Sequence, residues 1–164
     1  MERRIFLRNL GAGSLAVPLS SFLPGTGALA ANSQNITEAL LPKRLSAGNT
    51  IGIVSPSSAI FDTEPYEIAR ETMQAMGLKV KLGEHVKGRY GHLAGTDEER
   101  AEEFNAMFSD PEIDAVIALR GGSGAARILD KINYTAIAAN PKIFIGYSDI
   151  TALHLAIYEK TGLV

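Results

Sequence analysis

The chain has 164 residues and no cysteine. That excludes disulfides, thiolate metal sites and a cysteine nucleophile. It also lacks a basic excess: the net charge is −2, so there is no electrostatic footprint for nucleic acid. Histidine is scarce, with only three. His85, His92 and His154 show no metal-ligand spacing, so no metal is expected. No apolar run is long enough to span a membrane. Leu10 to Leu23 comes nearest, and Gly11, Gly13, Ser14, Pro18, Ser20 and Ser21 dilute it, so no integral membrane segment is expected.

What remains is an ordinary globular composition, 46% apolar and 21% charged. The first residues read as an export signal. Arg3-Arg4-Ile5-Phe6-Leu7-Arg8 is a basic start with paired arginines, the apolar stretch follows, and Ala28-Leu29-Ala30 offers a cleavage site before Ala31. The arginine pair resembles a twin-arginine signal, although Glu2 and Arg8 stand where Ser or Thr and Lys are usual. Residues 1–30 are therefore expected to direct the protein to a bacterial periplasm, and 31–49 to form a linker. An α/β domain is expected over 50–164.

From Thr50 the pattern alternates. Ile51–Val54, Leu78–Leu82, Ile113–Leu119 and Ile143–Ile145 read as strands. Glu64–Met76, a helix opened by a Thr96–Glu99 capping box, Ala125–Ile132 and Asp149–Lys160 read as helices. In the first, Ile68, Met73 and Met76 are expected on the packing face. In the second, Ala101, Phe104, Met107 and Phe108 fill that role, and Glu98-Glu99-Arg100 with Glu102-Glu103 form a solvated face. Alternation with buried strands predicts a parallel sheet with helices on both faces, a Rossmann- or flavodoxin-like domain. Ligands of such sheets bind beyond the carboxyl ends of the strands, where Ser55, Arg120–Gly124 and Ser148 fall.

Gly146-Tyr147-Ser148-Asp149-Ile150-Thr151 follows a buried strand and runs into a helix. A serine in such a turn stands clear of the sheet, where a nucleophile is useful. The spacing departs from G-x-S-x-G, because Ile150 replaces the last glycine. A serine here equally fits a helix N-cap. Arg120-Gly121-Gly122-Ser123-Gly124 can turn backbone N–H groups towards an anion, and Arg120 can pair with a substrate carboxylate. The alternative is a tight turn with a solvated arginine. His154 is expected to pack towards the sheet, and His85 and His92 to lie on the surface.

Taken together, Gly52-Ile53-Val54-Ser55-Pro56-Ser57-Ser58 and these two motifs resemble the LD-carboxypeptidase family of serine peptidases, over about residues 48–164. That family includes murein tetrapeptide carboxypeptidases and microcin C immunity proteins. Ser123 is a departure, standing where an aromatic residue is frequent; an export signal is another. The resemblance implies that Ser148 is the nucleophile and that backbone N–H groups of Asp149 and Gly122 form the oxyanion hole. Arg120 and Gly121 would contact substrate. It further implies a glutamate-oriented histidine base on a β-rich C-terminal domain, which has no counterpart here, so the chain is expected to be truncated before it. Hydrolysis of the L,D-amide before a terminal D-alanine in murein peptides, no cofactor and a homodimer are also implied. Two other readings stay open: a microcin-type immunity peptidase, and a non-catalytic peptide-binding product.

Overall fold

The structure, a computed structural model, describes residues 39–164. The expected export signal lies outside the described residues. Four strands form one sheet in the order β2-β1-β3-β4, every pair parallel. They are β1 (Thr50–Val54), β2 (Lys79–Leu82), β3 (Ala115–Ala118) and β4 (Ile143–Ile145). Four α-helices connect and flank them: α1 (Glu64–Ala75), α2 (Asp97–Ser109), α3 (Tyr134–Ala139) and α4 (Thr151–Thr161). Two 3₁₀ segments, Ala125–Lys131 and Ser148–Ile150, follow β3 and β4.

The sheet has the form that the sequence predicts. β1 lies in the interior, paired on both sides, and its four apolar-run residues are buried. A continuous apolar strand is what two covered faces require. β2 is an edge strand and alternates exposed with half-buried residues, as a strand with one wet face does. Ile51 and Ile53 pack towards α1, with Met73, Tyr66 and Val86. Val54 joins the larger core on the opposite face, where Phe104, Phe108, Ile128, Ile137, Ile150 and Leu153 meet. Helices therefore cover both faces. Before β1, Leu40 forms a parallel bridge with Leu163; Leu40 N–H donates to the Gly162 carbonyl and Val164 N–H to the Leu40 carbonyl.

Several elements differ from the sequence reading. Ile68 in α1 and Met76, the residue just past its end, are exposed. The buried face is Tyr66, Ala69 and Met73, spaced i, i+3, i+7, and Ile68 points away from it. The expected helix at 125–132 is a 3₁₀ segment, and a separate α3 follows it, opened by Asn133 accepting from Ala136 N–H at 3.0 Å. The last helix starts as a 3₁₀ turn at Ser148 before becoming α4.

In α2 the capping box is present: Glu99 N–H donates to Thr96 Oγ1 at 3.2 Å and Thr96 N–H to Glu99 Oε2 at 2.8 Å. The expected apolar face is buried. The expected solvated face is not entirely so, because Arg100 and Glu103 are also buried. Both lie on the helix side that faces the loops leaving the sheet.

Candidate active site

β1, β3 and β4 are parallel, so their exits lie along one edge of the sheet. β1 leads into Ser55–Ala59, β3 into Arg120–Gly124, and β4 into Gly146–Ile150. Ser148 occupies the last of these turns at φ 59°, the one described non-glycine residue with positive φ. The left-handed region costs a side-chain-bearing residue roughly 1–3 kcal/mol and persists only where its surroundings hold it there. Ser148 is also exposed. It is not a helix N-cap: Tyr147 takes that position in extended conformation, with no side-chain capping bond.

Two glycines make this turn possible. A Cβ on Gly146 would lie 2.4 Å from Ile150 Cγ2. Gly146 is the first glycine of the G-x-S-x-G spacing and is required here, whereas Ile150, in place of the second, fills the core. A Cβ on Gly121 would lie 2.8 Å from the Tyr147 carbonyl oxygen, 2.9 Å from Ser148 Cβ and 3.3 Å from Asp149 N. The glycine turn after β3 is thus packed directly on the serine turn after β4.

The other residues predicted from sequence take definite places. Gly122 has φ 119° and is exposed, with the Ser58 hydroxyl filling the position of its missing Cβ. Ser58 Oγ also accepts from Ser123 N–H at 3.1 Å. Arg120 is exposed and its Nη1 donates to the Ala59 carbonyl at 2.9 Å. Asp149 is half-buried; its Oδ2 accepts from Ser57 Oγ at 2.6 Å and from Ala125 N–H at 2.8 Å. The first N–H groups of the helical segment starting at Ser148 point out of its N-terminus, together with the positive end of its dipole.

Two residues outside the sequence-derived set brace these loops. Arg100 donates to the carbonyls of Pro56 (2.5 Å), Gly124 (3.0 Å) and Gly95 (3.2 Å), and pairs with Asp97. Glu103 accepts from Ser55 N–H at 3.3 Å and from His85 N–H. Burial pushes the Glu103 carboxyl above the usual carboxylate range, against the pull of those N–H donors.

The histidines stay apart from the serine. His154 lies on α4 with its ring 4.6 Å from Phe144, and burial lowers its pKa. It packs towards the sheet, as its position in the sequence implies. His92 is exposed, whereas His85 is half-buried beside Glu103, a correction to the surface placement. A cleft of about 350 Å³ lined by Lys81, His85, Glu103, Met107 and Asp110 contains none of the sequence-predicted site residues. Among the described residues no group of acidic or histidine side chains is placed to hold a metal ion, and no helix is long and apolar enough to cross a membrane.

A parallel sheet here turns from strand to helix on an exposed serine at positive φ, the place in such a fold where a nucleophile would stand. The chain belongs to the LD-carboxypeptidase N-terminal domain family, whose profile matches residues 51–164. It is 45% identical over 123 residues to a probable murein peptide carboxypeptidase of Bacillus subtilis, covering 75% of this chain and 38% of that protein. It is 38% identical over 114 residues to the murein tetrapeptide carboxypeptidase of Pseudomonas aeruginosa, covering 69% and 36%. The microcin C7 self-immunity protein MccF of Escherichia coli is 40% identical over 127 residues, covering 76% and 37%. A solved structure of MccF without ligand superposes with a TM-score of 0.72 at 39% identity, over 76% of this chain and 38% of that one. The chain thus spans under two fifths of the length of these relatives.

Proposed function

We propose that this domain carries the nucleophile of a serine LD-carboxypeptidase that removes a terminal D-alanine from peptidoglycan tetrapeptides. The observation that carries this reading is Ser148, held at φ 59° and exposed, with Gly121 packed against it and Asp149. The Ser148 hydroxyl attacks the carbonyl of the L,D-amide. The backbone N–H groups of Asp149 and Gly122 receive the oxyanion. D-Alanine leaves, and water hydrolyses the Ser148 ester. Arg120 and Gly121 contact the substrate, Arg120 by pairing with a carboxylate. The general base is a histidine oriented by a glutamate from a part of the full-length protein beyond this domain. No cofactor takes part. Residues 1–30 direct export to the periplasm, where murein peptides occur, and the full-length enzyme acts as a homodimer.

Likeness to MccF supports a second reading, the same Ser148 chemistry on a microcin-type acyl substrate. MccF has been solved in complex with aspartyl sulfamoyl adenosine.

D-Alanine release from an L,D-terminated tetrapeptide, by the full-length protein and by its Ser148→Ala variant, tests the proposal. Loss of release with an unchanged melting curve is expected. Undiminished release by Ser148→Ala refutes the assignment. No release by either protein, with cleavage of aspartyl sulfamoyl adenosine, favours the second reading.

A further inference from the structure

We infer that the Asp149 carboxylate is the positioning group of this site: through Ser57 and Ala125 it fixes the backbone N–H that meets the oxyanion. The inference rests on the reading of Ser148 as nucleophile.

An acidic residue beside an oxyanion site is electrostatically unfavourable, since its charge opposes the one that develops. An aspartate in the first turn of a helix ordinarily serves the N–H groups of its own helix. The Asp149 carboxylate instead reaches to two other segments. Its Oδ2 takes the Ser57 hydroxyl at 2.6 Å and the Ala125 N–H at 2.8 Å. Ser57 is fully buried in the loop leaving β1. Ala125 opens the 3₁₀ segment leaving β3, whose own N-cap, Gly124, has no side chain to offer. Asp149 therefore caps that segment from across the site.

These contacts locate both ends of the glycine turn against a single residue. Gly121, at its start, packs on Tyr147, Ser148 and Asp149 N. Ala125, just past its end, is bonded to the Asp149 carboxylate. The middle is held by Ser58, which accepts from Ser123 N–H. Of the two neighbouring hydroxyls, Ser57 thus engages the serine turn and Ser58 the glycine turn. Strain of the kind seen at Ser148 persists only where the surroundings over-determine the backbone, and the residue next to it is anchored to two separate strand exits. Geometry, rather than charge, is what the carboxylate supplies.

The test compares Asp149→Ala, Asp149→Asn, Ser57→Ala and Ser148→Ala in the full-length protein. Readouts are steady-state D-alanine release and a cooperative melt. Asp149→Asn keeps an oxygen that can accept both donors while removing the charge. It is expected to stay within about tenfold of the parent. Asp149→Ala loses both bonds, so kcat should fall by roughly 10²-fold, the scale of one misplaced oxyanion donor. KM should change little, because the lost interaction belongs to the transition state. Ser57→Ala should fall between the two. A merely structural role would lower the melting temperature without moving kcat per folded molecule. An Asp149→Asn variant as slow as Asp149→Ala overturns the inference, since the charge would then be the operative property. So does kcat within about twofold of the parent in Asp149→Ala and Ser57→Ala. If Asp149→Ala does not fold, Ser57→Ala decides, because it removes one donor and leaves the other. If Ser148→Ala still releases D-alanine, the nucleophile assignment has failed instead.

Discussion

Replacing Arg100 by Met keeps an unbranched apolar stem and removes the guanidinium. The residue is 1% exposed. The carbonyls of Pro56 and Gly95 lose their donor, while that of Gly124 loses one and keeps the Arg127 N–H at 3.1 Å. An unsatisfied buried acceptor costs about 1–3 kcal/mol. The ion pair adds less than a buried pair usually would, because Asp97 retains Arg127 at 2.9 and 3.0 Å. Arg127 is also the chief cause of the lowered Asp97 pKa. The carbonyls therefore dominate, and a loss of roughly 3–5 kcal/mol is expected. Against a total of about 5–15 kcal/mol this is severe. At about 4 °C per kcal/mol for a domain of this size, the melting temperature should drop by roughly 12–20 °C. Urea unfolding followed by far-ultraviolet circular dichroism measures the free-energy loss, and a thermal melt measures the shift in midpoint. Arg100→Lys should recover under half of the loss, because one ammonium cannot reproduce the planar fork towards three loops. A loss below about 1 kcal/mol would return Arg100 to the ranks of solvated surface residues.

Other perturbations probe other parts. Ser148→Gly removes the left-handed strain and should raise stability by about 1 kcal/mol in the same assay while abolishing release; no gain would mean that Ser148 is unstrained. Gly146→Ala drives a methyl group into Ile150 Cγ2 and should destabilise by about 1–3 kcal/mol; Ile150→Ala removes that atom, so the double mutant should be less destabilised than the two single losses added, and strict additivity would refute the contact. Burial lowers the His154 pKa, so the unfolded chain binds the proton more readily. Stability from this group is complete above pH ~6.5 and is lost as pH falls through the lower folded value. His154→Phe should flatten that part of the stability–pH curve, and an unchanged slope would place the titration elsewhere.

The sheet and the serine turn were legible because both are written locally. Apolar runs ending at Ser55-Pro56 or Gly146 mark strand exits, and the Thr96–Glu99 spacing marks the start of α2. The bracing was not legible, because its partners are distant: Ser57 lies 92 residues from Asp149. Arg100 and Glu103 were hidden by their neighbours in an acidic run. A phase signal was nevertheless present, since Arg100 precedes Phe104 by four residues and Met107 by seven, on the buried side of the helix. In and just past α1 the apolar side chains Ile68 and Met76 misled, because Tyr66, Ala69 and Met73 define the packed face. The 3₁₀ segment after β3 was read as a helix because composition does not separate the two.

The bridge between Leu40 and Leu163 has a mechanical consequence. Because the two segments run in the same direction, the chain approaches this point from one end and departs from the other. Tension between residues 40 and 163 then loads both Leu40 hydrogen bonds together, in shear, rather than opening them one after the other. The bridge acts as a clasp, and pulling on the flanking segments strains it before any pull reaches the strand exits that hold Ser148.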